Sequence, residues 1–333
     1  MQECDDANSC TIDTCNGKNG CSHLPTNESL ACGYGTCTKG VCTPNSAGCI
    51  EDGDVCGAGK GKCASGHCFW TDAIGYKWTL VPAGVFWMGC NAAVDKSCSG
   101  SGNETPQRKV VMSGYWIGVY TATATQYKTC LAAGFEGCTP PSTTTGTYAT
   151  YATPEKAQHP ANYLTWDQAQ GFCKFVGGDL PSEAQWEKAA RGGCDVYPGV
   201  NCATAEPLYP WGNTAPVCGQ QAVFDDTNSG KTCGNALSTY AVGAGSAAGP
   251  SPYAAFDMAG NVWQWTLDGY FYGYFQGIGD SATDPLFGGS ALGHTIRGGS
   301  FESGLAPLRS GNRTYGGTTG ASAFGVRCAK PMK

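Results

Sequence analysis

The stretch PANYLTWDQAQGFCKFVGGDLPSEAQWEKAARGG, Pro160 to Gly193, carries the clearest local signals in the chain. Thr165 with Gln168, and Ser182 with Gln185, both have the S/T-x-x-E/Q spacing. In that spacing the hydroxyl accepts from the N3 amide while the N3 side chain reaches back to the cap amide. The two boxes open helices over WDQAQGFCKFVG and EAQWEKAAR, the second stopped by Gly192. Upstream, Thr123 or Thr125 caps a further short helix that runs to Ala133 and ends at Gly134. WTLVPAGVFWMGC (78–90) alternates aromatic and aliphatic residues as a strand pair would, broken at Pro82-Ala83-Gly84. VVMSGYWIGVY (110–120) reads as another strand pair or one bent strand, and residues 194–333 as turns and short strands. The expected class is α+β with much irregular structure.

Composition agrees and narrows function. Of 333 residues, 50 are Gly and 11% aromatic while only 14% are charged, which suits a loop-rich globule anchored by rings. Net charge is −6 with no dense Lys/Arg run, so nucleic acid is excluded as a partner by the lack of phosphate-binding charge. Twenty-one cysteines point to an oxidising compartment, hence a secreted or cell-surface protein. A reduced zinc protein is disfavoured by having four histidines and no repeated C-x-x-C spacing. No signal peptide or membrane-length apolar run is visible, so a secretion leader is expected to have been removed.

Cysteine spacing divides the chain into a stapled module over residues 1–70 and a larger domain over 76–331. Residues 1–68 hold eleven cysteines and few aliphatics, too little apolar surface to offset chain entropy without staples. CGYGTCTKGVC (32–42) recurs as CGAGKGKCASGHC (56–68), so the module reads as a repeat-built stalk. Eleven is odd, leaving one cysteine unpaired, with truncation of a repeat near Cys4 the simple reason. The acidic clusters Asp5/Asp6 and Glu51/Asp52/Asp54 read as solvated turns sooner than calcium sites. In the larger domain Cys90/Cys98, Cys130/Cys138, Cys194/Cys202 and Cys218/Cys233 are neighbours across short loops, which leaves Cys173 for Cys328.

Six motifs occur in order: FWMG (86–89), the 160–193 stretch, YPWG (209–212), DMAGNVWQW (257–265), RGGSF (297–301) and FGVRCA (324–329). Together, over about residues 76–331, they resemble the formylglycine-generating enzyme family, the sulfatase-modifying-factor domain. The resemblance implies a variant of the C-type lectin fold and a bridge matching Cys173–Cys328. The opening CDDANSCTIDTCNGKNGCSH resembles a cysteine-rich repeat of secreted myxobacterial proteins.

In the enzymes of this family a C-x4-C pair after the GGS turn binds copper(I), a soft ion suited to two thiolates, and oxidises a substrate cysteine to formylglycine. Here Ser303 falls where the first cysteine would be, the loop to Arg309 is short, and no cysteine lies between Cys233 and Cys328. Copper is therefore not expected, nor the formylglycine reaction. Another branch uses iron with histidines from an added helical domain, whereas His23, His67, His159 and His294 are scattered and read as structural or exposed. A G-x-S-x-G elbow is also missing. The family's calcium turn maps onto the Asp257 and Gln264 side chains with the Gly260 and Val262 carbonyls, hard oxygens suited to structural calcium. Glutamate is commoner at the Gln264 position, so the site is weakened, and an empty hydrogen-bonded turn is the alternative. The lectin sugar-binding tripeptides E-P-N, Q-P-D and W-N-D are absent.

A short-loop version of the GGS segment occurs in binding proteins of the same fold, where frames like GGSF, LRSGNR and FGVR display variable side chains. That resemblance makes Glu302 to Pro307 and Arg313 to Ala323 display positions, and Trp263, Ser300, Glu302, Ser303, Arg309, Asn312 and Arg313 candidate ligand contacts. Gly298 and Gly299 permit the tight turn; Arg309 and Arg313 either brace the loop through buried ion pairs or present their guanidinium groups. Trp263 and Trp265 read most simply as core aromatics. The expected function is extracellular recognition of a protein or other ligand, or self-assembly. An oxidoreductase with an unrecognised metal site is the alternative from a different class.

Overall fold

The computed structural model describes strand segments between residues 11 and 43, Cys49, and residues 52–332 apart from 91–94, 99–102, 198–200, 206, 227–232, 234–237, 248 and 290–291. It divides into two compact units, Met1–Trp70 and Thr71–Met332. The unpaired-cysteine expectation at Cys4, and the clusters Asp5/Asp6 and Glu51, lie outside the described residues.

The first unit is a string of small antiparallel hairpins. Thr11–Asn16 pairs with Gly20–Pro25, and Gly35–Thr38 pairs with Val41–Thr43, which sets Cys37 opposite Cys42. The second copy of the repeat reproduces that register: Gly61–Ala64 pairs with His67–Thr71 and sets Cys63 opposite Cys68. There the bonds run Cys49–Cys63 and Cys56–Cys68, so each staple leaves the hairpin for a neighbouring segment.

The second unit begins with a bent ribbon. Strands β1 (Lys77–Val81), β2 (Gly84–Met88), β3 (Arg108–Met112) and β4 (Tyr115–Gly118) follow the sequence alternation. Residues 78–90 do not form the local strand pair expected, and 110–120 takes the bent-strand alternative: β1 pairs with β4 and β2 with β3, both antiparallel. Both segments break at the same level, with Val81 opposite Tyr115 and Gly84 opposite Met112. Pro82 has no amide to donate to a ladder, so the ribbon turns its corner there.

Helices α1 (Ala124–Ala132), α2 (Trp166–Phe175) and α3 (Glu183–Arg191) each start with a complete capping box, from Thr123, Thr165 and Ser182. Helix α3 lies over the corner of the ribbon. Its Trp186, Ala189 and Ala190 pack with Val81, Tyr115 and Ile117 from one arm. Its Ala184 packs with Phe86, Met88, Val110 and Met112 from the other. The remaining strands are β5 (Trp263–Gly269), β6 (Ala282–Thr283), β7 (His294–Arg297), β8 (Arg313–Gly316), β9 (Phe324–Gly325) and β10 (Ala329–Pro331). They form a sheet in the order β8-β7-β5-β9, add β10 beside β4, and add β6 parallel to β3. Among the described residues no helix is long and apolar enough to cross a membrane.

All ten cysteines of this unit are bonded as the sequence spacing suggested: Cys90–Cys98, Cys130–Cys138, Cys173–Cys328, Cys194–Cys202 and Cys218–Cys233. Loop-closure entropy ranks them. Cys173–Cys328 closes a separation of 155 residues, worth about 5 kcal/mol, whereas Cys130–Cys138 closes 8, worth about 2.5 kcal/mol. Replacing Cys173 and Cys328 together by Ser is therefore expected to lower the unfolding midpoint roughly twice as far as the Cys130/Cys138 double replacement, read by thermal denaturation.

Candidate functional site

Helix α3 presents buried charges. Glu183, Glu187 and Lys188 are inaccessible and Arg191 nearly so. Arg313 grips Glu183 in a fork, Nε to Oε1 at 2.6 Å and Nη2 to Oε2 at 2.9 Å. Arg297 lies 3.5 Å from Glu183 and donates to Glu187, whose other oxygen accepts from the Gly89 amide at 2.6 Å and pairs with Arg191 at 3.1 Å. Burial works to raise the Glu183 carboxyl, but Arg313 and Arg297 outweigh it and hold it below its ordinary value. Tyr270, Tyr274 and Phe275 surround the Arg313 guanidinium, with ring centroids at 4.7, 5.3 and 5.4 Å. Arg309 is likewise committed, to Glu104 at 2.7 and 2.9 Å and to Asp95 at 2.8 Å, while Asn312 donates to Glu104 at 2.9 Å. Of the two roles left open for Arg309 and Arg313, the structure has them bracing the loop. Buried carboxylates on α3 and at Glu104 require those cations.

Between these arginines the GGS segment makes a closed turn. Gly298 and Gly299 have φ of 94° and 73°, and a Cβ at Gly298 would come within 2.8 Å of the Met258 carbonyl. The Ser300 amide donates to Ser303 Oγ at 3.0 Å, the two hydroxyls lie 3.2 Å apart, and the Glu302 amide donates to Ser300 Oγ at 3.2 Å. Both serines are buried; Glu302 points outward and accepts from Ser322 Oγ at 2.8 Å. Trp263 is half-buried against the cluster that contains Phe301. The seven candidate contacts thus separate: Glu302, Trp263 and Asn312 retain exposure, while Ser300, Ser303, Arg309 and Arg313 are structural.

The expected calcium turn is committed to internal partners. Asp257 accepts from Ser246 Oγ at 2.5 Å and from the Gly243 amide at 2.7 Å, and burial holds its carboxyl above the ordinary range. Gln264 Oε1 accepts from Trp186 Nε1 at 2.9 Å and Arg327 Nε at 2.7 Å, while its Nε2 donates to the Asp257 carbonyl at 2.7 Å. Gly260 and Val262 are buried in the same turn, where a Cβ at Gly260 would meet the Val223 carbonyl at 2.3 Å. An amide oxygen has two lone pairs, and both of Gln264's are taken. As placed, these side chains do not fit a calcium ion. Elsewhere His159 bonds Thr239 at 2.9 Å and His294 stacks on Trp166, so these two serve packing. Cys90, Asp95 and Cys98 cluster, but both sulfurs belong to one disulfide.

Residues 75–332 match the family described as the Sulfatase-modifying factor enzyme 1-like domain. The chain belongs to that family. Sulfatase-modifying-factor relatives include the Serine/threonine-protein kinase pkn1 of Chlamydia pneumoniae, 31% identical over 179 residues, which are 53% of this chain and 25% of the kinase. The Formylglycine-generating enzyme of Thermomonospora curvata is 29% identical over 190 residues, 53% of this chain and 56% of the enzyme. The chain therefore spans from a quarter to just over half the length of these curated relatives. Among solved structures, PvdO from Pseudomonas aeruginosa aligns with a TM-score of 0.58 at 21% identity over 79% of this chain and 97% of its own, a likeness of fold. Residues 3–26 match the family described as the Dictyostelium (slime mold) repeat.

The acidic partners of the arginines were not singled out from sequence. EAQWEKAAR has the charge content of a surface helix, and Glu104 stands in a polar loop about 200 residues before Arg309. The buried Asp268 was missed too. It accepts from the Glu183 amide at 2.6 Å and the Phe287 amide at 2.8 Å, and burial, then the Glu183 charge, push its carboxyl up to about 7.

Two measurements follow. A calcium ion held a hundredfold above its dissociation constant adds about 2.7 kcal/mol of stability, so excess chelator would lower the midpoint of a calcium-loaded domain. No shift is expected here; a clear drop would show that calcium displaces the Arg327 contact. For Asp268 the folded carboxyl holds its proton up to about 7 while the unfolded one releases it near 4, so its contribution falls as pH rises between those values. Asp268→Asn should accordingly gain stability relative to the parent between pH 5 and pH 8, read by denaturant melts at both.

Proposed function

We propose that this chain is an extracellular recognition protein built on the sulfatase-modifying-factor scaffold, without formylglycine-generating activity. The observation that carries the reading is the fate of sulfur in the domain. Every cysteine from residue 71 to 332 is in a disulfide, and the position of the first copper thiolate is Ser303, closed onto Ser300. A hydroxyl is a hard, neutral donor and does not replace a thiolate for copper(I). Disulfide density supports an oxidising, extracellular setting.

Recognition would fall on the outward side of the GGS turn. Glu302 offers a carboxylate, Leu305 is exposed beside it, and Trp263 adds a half-buried ring. The arginines behind them hold the turn in one shape, which lowers the ordering cost of binding. Incubating the purified protein with copper(I), oxygen and a cysteine-containing peptide should give no aldehyde by mass spectrometry. Sedimentation across a wide concentration range should give a monomer. Aldehyde formation would restore the enzyme reading, and concentration-driven self-association without ligand would favour an assembly subunit.

A further inference from the structure

A concave site lies at the end of β5 away from the GGS turn. That strand pairs Gln264 with Arg297 next to the GGS turn, and Gly269 with His294 at its far end. Beyond Gly269 the chain runs GYFYGYFQGIG, residues 269–279, and returns at Phe287. The excursion is tied at its neck: the Gly269 amide donates to the Phe287 carbonyl at 2.9 Å, and the Phe287 amide donates to Asp268 at 2.8 Å. It is also held from below, where Arg108 Nε donates to the Phe275 carbonyl at 2.8 Å. The loop is therefore fixed before any ligand arrives.

Within it is a cavity of about 370 Å³, lined by Phe271, Tyr274, Ile278, Leu286 and Phe287 together with glycines. That volume is in the range of small-molecule sites, which are mostly apolar and largely pre-formed. Among the described residues no charged side chain lines it. The two acids within the lining segment are engaged elsewhere, Asp280 with Arg108 at 3.6 Å and Asp284 with Ser113 at 2.6 Å. Phe271 and Phe287 stack at 5.5 Å with an interplanar angle of 21°, presenting a flat aromatic wall. Phe271 and Leu286 nonetheless stay 45% and 55% exposed, apolar area that burial under a ligand would recover.

The glycines give a second, independent pointer. Gly273 is accounted for by packing, since a Cβ there would come within 2.9 Å of Phe271. Gly277 and Gly279 are not: neither has left-handed backbone, and among the described residues a Cβ on either would meet nothing within 4 Å beyond its own turn and chain neighbours. Neither the backbone nor the packing of this chain requires glycine at these two lining positions. What glycine does there is leave the floor bare, so that a ring can approach the main chain.

We infer that this cup binds an uncharged aromatic small molecule, of about two fused rings, at a site separate from the GGS turn. The neutral fluorophore phenylnaphthylamine tests it, with the anionic anilinonaphthalene sulfonate as a charged counterpart of similar rings. The full chain should bind the neutral probe saturably at one site. Phe271→Ala removes the outer wall and Gly277→Leu fills the floor, and each should weaken binding at least about tenfold while the unfolding midpoint holds. Glu302→Lys, on the GGS face, should leave probe affinity unchanged, so failure here is distinguishable from failure of the recognition reading. Non-saturable binding, or unchanged affinity in both pocket variants, overturns the site. Equal affinity for the anionic probe overturns its preference for uncharged ligands.

Discussion

The second unit depends on neutralising a charged helix inside the protein. Glu183 and Glu187 on α3 are inaccessible, and isolated carboxylates in such a position would take up protons or unfold the structure around them. Arg297 and Arg313 come from β7 and β8, so the ion pairs fasten α3 to the β8-β7-β5-β9 sheet. The same helix covers the corner of the β1–β4 ribbon with its apolar residues. One nine-residue helix thus joins the ribbon to the sheet, by packing on one side and charge on the other. Removing one partner from such a pair leaves a buried charge and typically costs about 3–5 kcal/mol.

This requirement explains why the arginine frame of RGGSFESGLAPLRSGNR is not a display surface. All three of its arginines, Arg297, Arg309 and Arg313, answer buried or nearly buried acids, Glu183, Glu187, Glu104 and Asp95. The exposed residues of the segment fall in the short turn between Phe301 and Pro307. Arg327 plays a parallel part at DMAGNVWQW, where its guanidinium and the Trp186 indole consume the Gln264 oxygen. A cation carried on the chain there occupies an acceptor that a glutamate could have given to a metal.

What was legible in the sequence was local or covalent. The capping boxes at Thr165 and Ser182 lie within four residues, so their geometry is written in the spacing, and of the two cap candidates for α1 the structure uses Thr123. Cysteine neighbours were equally readable, because short loops limit the choice of partner. Strand partners were not. Alternation at 78–90 and 110–120 identifies extended chain but not which segment it faces, and the two runs pair with each other across the bend. The charged face of α3 was opaque for the same reason: its partners are more than a hundred residues away. The aromatic and glycine run after Gly269 was not singled out, because its closure into a cup depends on Asp268 and Phe287 meeting at the neck.

The placement of β10 beside β4 bears on how the domain would carry tension. Strands β1 and β10 flank β4, both antiparallel to it, so the chain enters the three strands at one end and leaves at the other. Opposed pulls on the two ends would run along the strands, while their hydrogen bonds lie across them. The bonds would then be loaded together in shear instead of opening one after another. Immediately before β10, Cys328 is anchored to Cys173 on α2, so a pull on the C-terminal end passes into the body of the domain through a covalent link. Such a unit would resist mechanical extension.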